Sequence, residues 1–348
     1  MQPLNCDHLV VGAGSTGLAV VDHLLRREVG SVALVDAVET PRVGPFGTRV
    51  PLLAPVSPRW DPVTCRGWEL YDGWTDWLEV DPGLRRCGVL MPVDSDSGST
   101  DGVEVLDPAD THRRWSGLSV AGPICNYDRY GSTVDSVAVA GALMWRLRKN
   151  GGRFHSSSAL TSLTENEDGV HFVAGSREGI ADKVFLCAGV ATLSILERQG
   201  IGHPFSRETT SIFTLDLGDD LPPVIYWRDE RAILVDNGTG SRDLYLSREL
   251  EDTDSSVPAV DWDGCTDFCQ RHGDWIDNLA TSVTSKARAE HRIGPHESPA
   301  IGISSVGGRI VAPGACGEHS PLVFPALAEM VVEGHLSGQV GGLLEEPS

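Results

Sequence analysis

The pattern of apolar positions changes period early in the chain. His8 to Val11 is short, apolar and β-branched, which predicts a buried strand, whereas Leu18, Val21, Leu24 and Leu25 recur at helical spacing. A second apolar run, SVALVD (31–36), predicts another strand. The Gly- and Pro-rich stretch 37–55 reads as a loop, 65–79 as one helix and CGVLMPV (87–93) as a strand. The polar stretch DSDSGSTDG (94–102) reads as a hairpin tip. Residues 134–149 have helical spacing, and KVFLCAG (183–189) predicts a buried strand ending at Gly189.

From 206 to 262 the pattern turns β-like: SIFTLDL, PVIYW, AILVD and DLYLS are divided by turn residues, which predicts an antiparallel sheet. Finally GRIVAPG (308–314) predicts a strand entering a Gly-rich turn, and 324–338 a helix with Pro325 in its first turn. Helix and strand alternate on both sides of the β-rich segment. The expected fold is α/β: a Rossmann-like nucleotide-binding domain with an antiparallel sheet domain inserted in it.

The turn GAGSTG (12–17) joins the first strand to the first helix. Gly12 permits the sharp turn, Gly14 removes the Cβ that would block a pyrophosphate, and Gly17 lets the helix pack close to the strand. Amides at the helix start, around Ser15 and Thr16, then face the phosphates. Asp36 ends the second strand, where a carboxylate accepts hydrogen bonds from ribose hydroxyls. These features predict a dinucleotide without choosing between FAD and NAD, because both carry ADP-ribose.

Composition narrows the partners. The 348 residues carry a formal charge of −21, which disfavours nucleic acid and anionic membrane surfaces. No apolar stretch approaches the ~20 residues of a membrane span, and no basic region precedes the first strand, so a cytoplasmic location is expected. The eight cysteines include no CxxC pair; Cys265 and Cys269 could share a helix face, but nothing completes a zinc set, and no metal is expected. The lysines are Lys149, Lys183 and Lys286; arginine supplies the other basic residues. No feature sets an oligomeric state.

The order of these pieces resembles the FAD-dependent D-amino-acid oxidase superfamily, especially its sarcosine oxidase and glycine oxidase branches. The likeness spans nearly the whole chain: GAGSTG with Asp36, GTR (47–49), WLE, CGVL, RYGSTVDS, KVFLCAG, HRIGPHESPAIG (291–302) and GRIVAPGACGEHSPLVFPALAEMVVEG. It implies an FAD-binding domain of residues 1–82, 128–205 and 286–348, and a substrate domain of 83–127 and 206–285. It also implies hydride transfer to flavin N5 from the carbon of a small-molecule amine or amino acid, giving an imine. The flavin carries the hard step and the protein orients the substrate.

Several site residues follow from the resemblance. Gly47, Thr48, Arg49, Ala188 and Gly189 would line the flavin, Arg49 matching a flavin-proximal arginine. The turn Gly314 to Pro321, with Cys316, Gly317, Glu318, His319 and Ser320, would bring amides and a helix dipole to the flavin pyrimidine ring, stabilising charge gained on reduction. The family's attachment cysteine lies upstream, where this chain has KARAEHR, so non-covalent FAD is expected; Cys316 is the alternative attachment point. Arg292 matches an arginine that forks onto a substrate carboxylate in glycine-oxidase-like members; the other reading is a structural pair with an acid.

Tyr245 and Arg248 fall where the family lines its pocket, although a strand-surface salt bridge also accounts for Arg248. His319 reads as a pocket acid or base, or as a helix-capping residue. The chain departs from the pattern at Leu52, where a second arginine binds carboxylate in the sarcosine oxidase branch. It departs again at Glu297 and Ser298, which replace Asp-Gly, and at Glu318 and His319, where small residues are usual. No lysine lies between 184 and 285 to assist oxygen as in several oxidases of the family, so oxidase and dehydrogenase both stay open. A flavin monooxygenase or tailoring enzyme, and a non-catalytic FAD-binding subunit, are the alternatives.

Overall fold

The computed structural model describes residues 3–39, 49–54, 61–93, 102–249, 257–294, 302–314 and 317–338. Two large sheets organise them. In the first, strand Cys6–Val11 lies between strands Val32–Val35 and Arg177–Leu186, parallel to both. Strands Arg153–His155 and Ile310–Ala312 extend the parallel core on either side. These short runs are buried on both faces, as a doubly covered parallel sheet requires. The first half of Arg177–Leu186 instead pairs antiparallel with Gly169–Ala174, making a hairpin extension with Leu160–Asn166.

One face of this sheet is covered by helices Ser15–Arg26, Ser136–Lys149 and Ser320–Leu336. The last is apolar nearly all round and buries Leu322, Val323, Phe324, Leu327, Val331 and Val332. A helix without a polar face forms only where neighbours surround it. Among the described residues no helix is long and apolar enough to cross a membrane.

The second sheet has eight strands, with Val283–Gly294 at one edge beside Ser206–Leu215 and then Arg242–Glu249, Ala232–Asp236 and Val224–Trp227. Val89–Val93, Ile124–Asp128 and Val103–Leu106 complete it. Its far face packs on helix Trp262–His272 through Phe213, Leu244, Phe268 and Trp275. Its other face carries Ile212, Tyr226, Ile233 and Tyr245, packed with Leu53 of the first domain.

The structure corrects several expectations. Strand Val283–Gly294 pairs along Ser206–Leu215 as far as Gly294, so the second sheet runs past residue 285, because the alternation in SKARAEHRIG is that of an edge strand. The expected helix 65–79 is two helices, Asp61–Asp72 and Trp74–Trp77, interrupted at Gly73. The stretch read as a loop ends in strand Arg49–Leu52, which pairs with Ser132–Asp135; the helix expected from 134 therefore starts at Ser136, capped by the Asp135 carboxylate. The hairpin tip expected at 94–102 lies outside the described residues except for Gly102. The last long helix begins at Ser320, with Pro321 in its first turn, so Pro325 is interior. Proline there removes the amide that would bond the carbonyl of residue 321. The Tyr71 hydroxyl, fully buried, donates to that carbonyl at 2.7 Å instead.

Candidate active site

A cavity of about 660 Å³ runs from the fingerprint turn to the edge of the second sheet. At one end its wall holds Gly12, Gly14, Ser15, Thr16 and Asp36; farther along come Ala188 and Gly189, then Gly314, Gly317 and Ser320. At the far end are Glu290, His291, Arg292 and Ile293.

The glycines of the turn do different work. Gly12 has φ +104°, and a Cβ on it would lie 2.3 Å from the Cys187 carbonyl oxygen. A Cβ on Gly17 would meet the Gly12 carbonyl at 1.9 Å, so Gly17 sets the closeness of helix and turn. Gly14 has an ordinary extended backbone, φ −75° and ψ −177°, so its place on the wall reflects space for a ligand. Asp36 accepts from the amides of Ala13 (2.5 Å) and Val38 (2.8 Å), which fixes its carboxylate at the strand end.

Three helices present uncapped N-termini to this cavity, Ser15–Arg26, Ala191–Arg198 and Ser320–Leu336; helix Ser136–Lys149 also reaches the wall at Ser136 but is capped by Asp135. None of the three has a side-chain cap or an acidic residue in its first turn. By contrast Asp107, Asp135 and Asp261 cap their helices with side-chain carboxylates. Amides at a helix start provide positive partial charge for an anionic ligand, although in Ala191–Arg198 those of Thr192 and Leu193 already bond the Gly189 and Val190 carbonyls.

Arg292 lies buried at the far end and donates through Nε to Glu208 (3.0 Å) and through one terminal nitrogen to Ser247 Oγ (2.6 Å). The same nitrogen is 3.5 Å from Glu318. Arg231 bonds Glu208 as well and stands 3.6 Å from Glu318, so two arginines and two glutamates form one closed group. The Tyr226 hydroxyl donates to Glu318 at 3.4 Å. Burial alone would raise the Glu318 carboxyl, but His319, Arg292 and Arg231 hold it below the usual carboxylate range. Burial pushes His319 below the ordinary imidazole range, against the pull of Glu318. Its Nδ1 lies 3.2 Å from the Leu53 carbonyl, a bond that suits a neutral ring protonated at Nδ1.

Some expected residues stand elsewhere. Arg49 bonds Asp236 of the second sheet at 2.8 Å, beneath Gly238, and is not on the cavity wall. Glu318 and His319 also lie off the wall, held in the contacts above. Arg248 pairs with Thr209 in the sheet and is more than half exposed; its Nε lies 4.0 Å from Asp261, the cap of the helix on the far face. Alternation along the strand sends Arg248 to the face opposite Ser247 and Tyr245. Tyr245 is buried among Ile212, Tyr226 and Ile233. Gly47, Thr48, Cys316, Glu297 and Ser298 lie outside the described residues.

Sequence reasoning passed over Glu208 and Arg231, which complete the charged group, and Tyr71. It also passed over His291, whose Nδ1 is 2.9 Å from Thr209 Oγ1 while its buried Nε2 has no partner among the described residues.

An elongated cavity with a glycine turn at one end and a second sheet at the other defines a two-domain dinucleotide-binding protein. The chain belongs to the FAD dependent oxidoreductase (DAO) family, whose model matches residues 7–333. No curated protein matches the sequence. Among solved structures the fold is similar to glycine oxidase from Geobacillus kaustophilus, with a TM-score of 0.79 and 14% identity over 96% of this chain and 95% of that one. It is similar also to L-proline dehydrogenase from P. horikoshii, with a TM-score of 0.83 and 13% identity over 99% and 96%. NikD, an unusual amino acid oxidase essential for nikkomycin biosynthesis, gives 0.79 and 16% identity over 97% and 95%.

The residues present fit FAD. The wall at Gly14, the Asp36 carboxylate and the uncapped helix ends suit a long, anionic, hydrogen-bonding cofactor.

Proposed function

We propose that the protein oxidises a small amine or amino acid at the carbon bearing nitrogen, with non-covalent FAD as its cofactor. The observation that carries this reading is the convergence of three uncapped helix N-termini on one cavity that also reaches the second sheet. Bound flavin would supply hydride acceptance. The chain's own part is to hold and orient. Gly12, Gly14 and Gly17 would shape the phosphate end, and Asp36 would hold the adenosine ribose. The N-terminus of Ser320–Leu336 would offer positive partial charge to the ring that gains electrons. The fold is shared with a glycine oxidase, an amino acid oxidase and an L-proline dehydrogenase, which supports the same class here.

A cytoplasmic location accords with the seven described cysteines, all free thiols; Cys265 and Cys269 stay unjoined one helical turn apart. The function is tested by anaerobic mixing of the yellow holoprotein with amines, amino acids, 2-hydroxy acids and NADPH. Bleaching by amines or amino acids is expected. Bleaching by NADPH alone would point to a monooxygenase, and bleaching by none of them to a non-catalytic flavoprotein.

A further inference from the structure

We infer that the substrate is an amine lacking a carboxylate, because the arginine at the substrate end of the cavity is already neutralised by this chain's own Glu208 and Glu318. The inference rests on the C–N oxidation proposed above and deepens it. Among the described residues Arg292 is the only arginine on the cavity wall, and the other charged groups there are acids, Asp36 and Glu290. Behind the wall, Arg292 bonds Glu208 and faces Glu318, and Arg231 joins the same two carboxylates.

Charge is therefore balanced before any ligand enters. Glu208 and Glu318 are both nearly fully buried, so water does not screen them from the guanidinium. A carboxylate arriving at Arg292 would add a third anion to two cations in a desolvated place. It would meet a guanidinium whose Nε and one terminal nitrogen are already engaged by Glu208, Ser247 and Glu318. An amine adds no anion to this balanced group. The arrangement also gives Glu318 a purpose: from just before the last helix it reaches Arg292 and Arg231, and it is held by the Tyr226 hydroxyl.

The test titrates FAD-loaded protein with benzoate, read by the flavin spectrum and by thermal melting, in wild type, Glu318→Gln, Glu208→Gln and Arg292→Ala. Wild type should show no saturable response, and each Gln variant should bind benzoate about tenfold or more tightly, since one internal competitor loses its charge. Saturable binding in wild type that disappears in Arg292→Ala overturns the inference, as does the absence of any gain in both Gln variants. Wild-type protein alone provides a second measurement, through anaerobic reduction by benzylamine and by phenylglycine. Reduction by benzylamine only supports the inference; reduction by phenylglycine overturns it while leaving C–N oxidation intact. Failure of every amine and amino acid to reduce the flavin would sink the parent reading instead, and the benzoate titration would still decide the charge argument.

Discussion

Tyr71 donates its hydroxyl to the main-chain carbonyl of Pro321, 250 residues away in sequence, at 2.7 Å. The bond replaces the one that Pro325 cannot make, and both Tyr71 and Pro321 stand on the wall of the cofactor cavity. Tyr71 thus holds the first turn of the helix whose N-terminus lies on that cavity.

Tyr71→Phe should leave a buried carbonyl unpaired and cost about 1–3 kcal/mol of stability, with weaker FAD retention. Pro325→Ala in the same chain restores an amide at that position and should recover part of the loss. Denaturant melts of the two single variants and the double variant measure the coupling; strict additivity would show that the hydroxyl and the missing amide are unrelated.

Gly12→Ala and Gly14→Val should fail in different ways. The first forces a Cβ against the Cys187 carbonyl at a positive φ and should prevent folding or lower stability severely. The second keeps an allowed backbone and should fold, but should be purified colourless because its side chain enters the cavity. Circular dichroism and FAD content separate the two. A folded, yellow Gly14→Val protein would remove the turn from the cofactor site.

His23 gives a pH dependence with a defined sign. The ring is fully buried, with Nε2 3.2 Å from the Pro325 carbonyl and Nδ1 3.3 Å from Arg27, and burial lowers its pKa from 6.5 to about 4. Between those values the unfolded chain binds a proton that the folded chain refuses. Stability contributed by the neutral ring is therefore complete above pH 6.5 and declines as the pH falls toward 4, by ~1.4 kcal/mol per pH unit at most. His23→Gln should flatten this slope in unfolding curves measured from pH 7 to 4. An unchanged slope would assign the acid sensitivity to other groups.

Oxygen should be a poor electron acceptor. Lys149 pairs with Glu79, Lys183 donates to the Gly308 carbonyl, and Lys286 is exposed; none is on the cavity wall. Without an ammonium beside the flavin, charge developing on reduced oxygen has less stabilisation. Substrate-reduced protein mixed with air-saturated buffer should reoxidise more slowly than with a soluble quinone, followed by recovery of flavin absorbance. Faster recovery in air would make the protein an oxidase despite its lysine pattern.

What the sequence determined by itself was whatever local chemistry and period dictate. Gly12, Gly14 and Gly17 between an apolar strand and an amphipathic helix, with Asp36 after the next strand, announced the strand–turn–helix–strand unit, because those demands are local. The β-rich segment announced the second sheet. Tertiary structure alone decided which charged groups meet. Arg292 lies 84 positions from Glu208 and 26 from Glu318, and their contacts depend on register across two strands and on the return of the chain after Gly314. Pairing in the sheet likewise set the face of Arg248, since a one-residue change of register would reverse it. The start of the last helix was misplaced for a related reason. Pro325 is tolerated in its interior because Tyr71, brought in from a distant helix, supplies the missing donor, and no local signal in the sequence records that contact.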